Sequence, residues 1–331
     1  MTGIDLSRGF YRRAVAPRLS AVPHAAALLG AGSEVLGFDD DVSADHDFGE
    51  RVQVFVADPA AVPPLDPRAE VTTPAAFFTA RLGADPADGL TLADWLVTPT
   101  QILAGLTAGA VFHDPAGDLA RRRAVLRWYP DDVWRYALAA GWLKVSQEEA
   151  FVGRAGSTGD DLGSRILTAR LARELIRLAY LVERRWAPYP KWLGRGFTGL
   201  GVAAELAPLL AAATGAAAWR DREAALVAAA GVVAAATNRL GLATPVEAGP
   251  RRFHDRDIRV LGADRFTAAL TAAITDPAVR ALLERLGARR GQPVGALPGT
   301  IDQAADSTDV LSHPDRCRAA APMLGLPALR R

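Results

Sequence analysis

The stretch from Ala27 to Gly49 constrains this chain most. It reads Ala-Leu-Leu-Gly-Ala-Gly-Ser33, then a loop, then Asp45-His46-Asp47-Phe48. The first part is an apolar segment running into a small-residue turn. In the second, carboxylates at i and i+2 project from the same face of a strand. Side by side they repel each other unless a cation or a proton intervenes. Hard oxygen ligands of this kind suit Mg2+, which is usually held by one or two carboxylates plus substrate phosphates. A small-residue turn that opens a helix places backbone N–H groups against phosphate oxygens. Together these features describe a site for a metal–nucleotide complex, with Gly32 and Ser33 at the phosphates and Asp45 and Asp47 at the metal.

A Gly-Ser pair, a loop and then Asp-x-Asp resembles the signature of the nucleotidyltransferase superfamily, the polymerase-beta-like fold. The longer string from Gly32 to Gly49, Gly-Ser-Glu-Val-Leu-Gly-Phe-Asp-Asp-Asp-Val-Ser-Ala-Asp-His-Asp-Phe-Gly, resembles a bacterial branch known as domain of unknown function 4037. That branch pairs the catalytic fold with a helical carboxy-terminal half. The resemblance extends over most of the chain, with its strongest motifs at 30–50, 109–136 and 154–194. More distantly, the layout is similar to that of antibiotic nucleotidyltransferases.

Composition narrows the classes of partner. A chain of 331 residues makes one large domain or two ordinary ones, and either buries a substantial core. A formal net charge of +1 supplies no global basic field, which argues against nucleic acid as a partner. Cys317 is the only cysteine, so neither an intrachain disulfide nor a cysteine-rich zinc site is available. The amino terminus carries Asp5, Arg8, Arg12 and Arg13 and no apolar signal core. The Ala-rich run over 206–240 is broken by Pro208, Arg220, Asp221, Arg222 and Glu223, and its apolar pieces are too short to span a bilayer. These features predict a soluble cytoplasmic protein without a membrane partner.

The pattern is bipartite. Residues 6–20 read as a helix from the spacing of Leu6, Phe10, Val15 and Leu19. Segments 51–57, 69–72 and 109–113 read as strands, with Pro59, Pro63, Pro64 and Pro67 marking a loop between two of them. From about 123 the period turns helical, over 131–150, 161–186, 198–213, 220–240, 264–274 and 276–287. Residues 251–260 form one late extended segment, and the Gly- and Pro-rich tail from 288 wraps the surface. The expected fold is α+β: a nucleotidyltransferase head over 1–122, with a small mixed sheet and helices, and a mainly α-helical domain over 123–331.

The superfamily resemblance implies a third carboxylate from a neighbouring strand. Glu70, in Arg68-Ala69-Glu70-Val71, is the first choice because it lies on the first strand-like segment after Asp-x-Asp. Asp114 is the second, although Asp-Pro-x-Gly is turn chemistry in its own right. Asp39, Asp40 and Asp41 read as a solvated acidic run. Asp255-Arg256-Asp257 repeats the carboxylate spacing without a Gly-Ser turn upstream, and with Arg252, Arg256 and Arg259 around it reads as surface ion pairing. His46 points to the strand face opposite the aspartates, and the other histidines lack ligand spacing. Most of Trp128, Trp134, Trp142, Trp186 and Trp192 read as packing residues.

In the helical half, Arg154 precedes Gly-Ser-Thr-Gly-Asp160-Asp161, with Asp161 expected to cap the following helix. Resemblance to the antibiotic enzymes puts Arg154 within reach of a phosphate. Lys191, between prolines and aromatics in Trp186-Ala-Pro-Tyr-Pro-Lys-Trp192, is positioned to neutralise a triphosphate. The same resemblance makes Glu148 or Glu149 a general base, against the plainer reading of an exposed helical charge.

The expected chemistry is Mg2+-dependent transfer of a nucleoside monophosphate, AMP from ATP by family resemblance, to a hydroxyl or amine of a small-molecule acceptor, with release of pyrophosphate. Asp45, Asp47 and Glu70 would be its catalytic carboxylates. Two other readings fit the same residues: an inactive nucleotide-binding regulator of this fold, and a transferase acting on a protein or RNA.

Overall fold

The computed structural model describes residues 2–39, 49–287 and 295–329. The chain is α+β and divides into two compact units. One takes residues up to 128 together with 306–321 and the chain end from 328; the other takes 129–305 with 322–327. The hydropathy pattern carries no sign that the tail returns to the first unit.

The first unit opens with helix α1 (Gly3–Phe10), whose first turn is closed by a Thr2–Asp5 capping box. The predicted helix continues, first as a π-helical turn over Tyr11–Val15 and then as a 3-10 turn over Ala16–Leu19. Pro17 lacks the N–H that a regular α-helix would use there, so the winding changes. Strands follow at β1 (Ala25–Leu28), β2 (Val52–Phe55), β3 (Ala69–Thr72) and β4 (Ala110–His113), with the single-turn helix α2 (Ser33–Leu36) after β1. The last three strands are those the sequence predicts. The first is Ala-Ala-Ala-Leu, a poor β-former by propensity, held in the sheet by its two neighbours.

The sheet order is β3-β2-β1-β4, with β1 antiparallel to both neighbours and β2 parallel to β3. Alternation along β2 sorts its side chains. Val52, Val54 and Val56 join Phe10, Tyr11, Val15 and Leu19 in one buried cluster. Gln53 and Phe55 point the other way, towards α3 (Pro74–Leu82), where Phe55 meets Phe77 edge-on at 5.0 Å and Phe77 meets Phe78 at 5.4 Å. Helices α4 (Leu92–Val97), α5 (Thr100–Thr107) and α6 (Asp118–Val125) complete the main run of the unit.

The second unit is helical, as expected. It contains α7 (Asp131–Glu148), α8 (Phe151–Ser157), α9 (Asp161–Val182), α10 (Pro190–Phe197), α11 (Ala203–Gly215) and α12 (Trp219–Arg239). The extended segment 251–260 is a hairpin of two-residue strands, β5 (Arg251–Arg252) and β6 (Arg259–Val260), followed by α13 (Asp264–Ala272) and α14 (Pro277–Arg285). Trp134 and Trp142 are fully buried on α7. Trp142 stacks on Phe266 at 4.9 Å and donates to Thr237 Oγ1, while the Trp134 indole donates to the Leu181 carbonyl. These tryptophans are core, as the sequence implies.

The tail differs from expectation. It forms short helices α15 (Ile301–Ala304), α16 (Thr308–Leu311) and α17 (Pro314–Ala319), and Ile301 and Cys317 are 0% exposed. Its apolar residues are spaced too far apart to show a helical period, yet Ile301, Leu311, Cys317 and Leu324 are all buried. No helix among the described residues is long and apolar enough to cross a membrane.

Candidate functional site

The site begins where β1 ends. The Leu29 N–H donates to Gln53 Oε1 at 2.9 Å, and the Gly30 N–H donates to the Gly105 carbonyl at 3.0 Å. Gly105 has to be glycine, because a Cβ there would lie 2.2 Å from the Gly30 oxygen. The chain then turns through Gly30 and Gly32 at φ values of 98° and 134°, a region that favours glycine. At Gly32 a Cβ would sit 2.4 Å from Glu34 Oε2 and 2.7 Å from Arg51 Nη2. Ser33 opens α2, which lasts one turn before Gly37 ends it at φ 72°.

The turn is braced by an ion pair that the sequence reading did not single out. Glu34 is only 3% exposed; its Oε1 accepts from Arg51 Nε at 3.1 Å, and Arg51 Nη2 also donates to the Ala31 carbonyl at 2.6 Å. Arg51 therefore ties the start of β2 to the Gly30–Ser33 turn. A charged pair inside a glycine turn has no periodic signature, and only the Glu-x-x-Gly context hints at it.

Glu70 lies on β3 as the register partner of Gln53, on the α3 side of the sheet, and it is exposed. Arg81, in the last turn of α3, has both Glu70 and Arg51 as charged neighbours; burial holds its pKa below the ordinary value, and the field of Glu70 partly offsets this. The Arg81 Nε would lie 3.6 Å from a Cβ on Gly30. Gly32, Ser33 and Glu70 thus gather at one end of the sheet. Asp45, His46 and Asp47, with Asp40 and Asp41, lie outside the described residues. Among the described residues no group of three or more His, Cys, Asp or Glu side chains is placed to hold a metal ion.

Other candidates have different work. Asp114 accepts the N–H groups of Asp118 and Ala120, both at 2.9 Å, and so caps α6. Asp39 is not simply solvated: its Oδ2 accepts the Gly3 N–H at 2.8 Å. A carboxylate at the start of α1 complements the helix dipole. Asp257 pairs with Arg220 at 2.9 Å, so its ion pair is formed with α12 and not with the nearby arginines of its own segment.

In the second unit, Arg154 is exposed on α8 with its guanidinium 5.2 Å from the Phe151 ring centre. Lys191 is exposed in the first turn of α10, with its ammonium 4.7 Å from the Trp192 ring centre. Asp160, not Asp161, caps α9 by accepting the Gly163 N–H at 2.7 Å. Asp161 instead pairs with Arg165 and the fully buried Arg222. Glu148 pairs with Arg170 at 2.8 Å. Glu149 is no exposed charge: it accepts the N–H groups of Leu261, Gly262 and Ala263 ahead of α13, and burial nonetheless pushes its pKa up.

No curated protein and no solved structure matches the chain. The motif around Gly32 and Asp45 lies upstream of the stretch that a family model matches. That stretch, residues 95–193, is similar to the family described as domain of unknown function (DUF4037).

Proposed function

We propose that the first unit is a polymerase-beta-like nucleotidyltransferase head that moves a nucleoside monophosphate, AMP from ATP, to a hydroxyl or amine of a small-molecule acceptor. One observation carries this reading. Three segments remote in sequence, the Gly30–Ser33 turn, Arg51 at the start of β2 and Glu70 on β3, converge at one end of the sheet. Gly49, the first described residue after the Asp-x-Asp motif, directly precedes this part of the chain. The glycine turn lets Glu34 and Arg51 pack where a Gly32 side chain would be, and Glu70 offers an exposed hard oxygen of the kind a metal–triphosphate requires.

Asp45, Asp47 and Glu70 would hold Mg2+, which supplies charge stabilisation at the transferring phosphate when bound. The residues of the chain do the rest. The Gly32-Ser33 turn would fix the phosphates, and Glu70 or a helical carboxylate would take the acceptor proton. The acceptor oxygen or nitrogen bonds to the α-phosphorus as the bond to the bridging oxygen breaks, and pyrophosphate departs with that electron pair. Arg154 and Lys191, which the resemblance assigns to the phosphates, and Glu148 or Glu149, its alternative general base, belong to the helical unit; of these, Glu149 is committed to its backbone partners and Glu148 pairs with Arg170.

Calorimetric titration with ATP, with and without Mg2+, tests the reading on the wild type and on the double variant Asp45→Asn, Asp47→Asn. The expected result is Mg2+-dependent binding of one triphosphate that the variant loses while remaining folded. Binding that ignores both Mg2+ and the substitutions would favour the regulatory reading, and no binding of any nucleotide would refute both.

A further inference from the structure

The first unit contains several partly buried arginines, and they differ in how fully they are used. Arg122 lies against both oxygens of Asp85 at 2.8 Å. Arg123 donates to the carbonyls of Leu106, Thr107 and Ala108. Arg51 serves Glu34 and Ala31. Arg81 is the exception. Its guanidinium lies 3.6 Å from the Phe77 ring centre, and among the described residues its one hydrogen-bond acceptor is the Phe77 carbonyl, at 2.9 Å. A guanidinium has five N–H donors, so most of its capacity is unspent.

It is also held in place. The Phe77 ring beneath it is itself fixed by Phe55 and Phe78, and the Phe77 carbonyl anchors Nη1. Its Nε lies beside Gly30, 3.6 Å from where a Cβ on that residue would be, so the guanidinium sits against the glycine turn. Arg51, the neighbouring cation, is neutralised by Glu34, whereas Arg81, which has Glu70 as a charged neighbour, forms no ion pair among the described residues.

We propose that Arg81 is a phosphate-binding residue of this site, its stacked guanidinium donating to the triphosphate of the nucleotide held on the Gly30–Ser33 turn; this rests on the nucleotidyltransferase reading. A phosphate would accept in the planar, forked geometry a guanidinium offers and would relieve the cost of burying an unpaired cation. An arginine stacked on phenylalanine only to cover apolar surface would contribute packing and no affinity for anions.

The test is calorimetry on the full chain with three probes: Mg–ATP, Mg–tripolyphosphate and adenosine. Wild type is compared with Arg81→Gln and Arg81→Lys, each checked by thermal melting. Losing charge-assisted hydrogen bonds should weaken both phosphate probes by about ten- to hundredfold in Arg81→Gln. Adenosine should bind unchanged, and Arg81→Lys should restore part of the loss. Unchanged Mg–ATP binding in Arg81→Gln would overturn the inference and leave the nucleotide site standing. An equal loss for adenosine, with a lowered melting temperature, would mark a purely structural arginine. If the wild type binds none of the phosphate probes, the underlying reading fails and the inference with it.

Discussion

Gln53 Oε1 accepts the backbone N–H of Leu29 at 2.9 Å, and both groups are buried. One polar side chain in an otherwise apolar strand therefore fixes the point at which β1 becomes the glycine turn. Gln53→Leu keeps the volume but strands the Leu29 N–H. Leaving a buried donor unsatisfied costs about 1–3 kcal/mol. Urea denaturation should show this loss, and hydrogen exchange should show faster opening at residues 29–33 than elsewhere in the unit.

Two glycines of the same turn separate backbone strain from crowding. Gly37→Ala meets nothing within 4 Å and pays only for its left-handed backbone, so a loss of about 1 kcal/mol is expected. Gly32→Ala also drives a methyl group into Glu34 and Arg51. It should destabilise by about 2–3 kcal/mol and abolish nucleotide binding, whereas Gly37→Ala should retain binding. Denaturation and calorimetry on both variants check the contrast.

Asp85 receives a forked hydrogen bond from Arg122, which holds its carboxyl below the ordinary value of 3.8. The unfolded chain therefore takes up protons first as the pH falls. The contribution of the pair is fully present above pH 3.8 and disappears as the pH drops through the lower folded-state value. Asp85→Asn should cost about 3 kcal/mol at neutral pH, and this cost should shrink towards zero in acid. Denaturation midpoints of both proteins between neutral and acid pH measure it.

Glu149 carries the opposite sign. Burial raises its pKa above 4.5 despite its backbone N–H partners, so the folded protein holds the proton more tightly than the unfolded chain. Stability from this group is greatest below pH 4.5 and is lost as the pH rises through the folded-state value. The cost of Glu149→Gln should therefore be larger in acid than at neutral pH. A cost that grows with pH would show that the N–H groups of Leu261, Gly262 and Ala263 outweigh burial.

Much of the architecture is legible from sequence because it follows period. The alternation of 51–57 and the β-branched run at 69–72 give β2 and β3, and the 3.6-residue pattern past 130 gives the helical unit. What escapes has identifiable physical causes. β1 is alanine-rich, so propensity hides a strand that its neighbours impose. α10 begins at Pro190, within the stretch between 186 and 198 that the helical pattern leaves unassigned, although proline is well suited to a first helical turn. The glycine turn and the strand position of Glu70 are readable because motif and strand order are local. The Glu34–Arg51 brace and Arg81 are not, since pairing and stacking are decided by tertiary neighbours. Glu149 shows the same limit: as a charge near a helix end it looks exposed, and only the fold supplies its three N–H donors.

The most direct test of the central claim is a crystal structure of the full chain with Mg2+ and the non-hydrolysable analogue α,β-methylene-ATP. The account predicts a triphosphate lying on the Gly30–Ser33 turn, a metal shared by Asp45, Asp47 and Glu70, and Arg81 within hydrogen-bond distance of a phosphate oxygen. An analogue bound away from this end of the sheet, or a metal whose ligands include neither Asp45 nor Asp47, would contradict it.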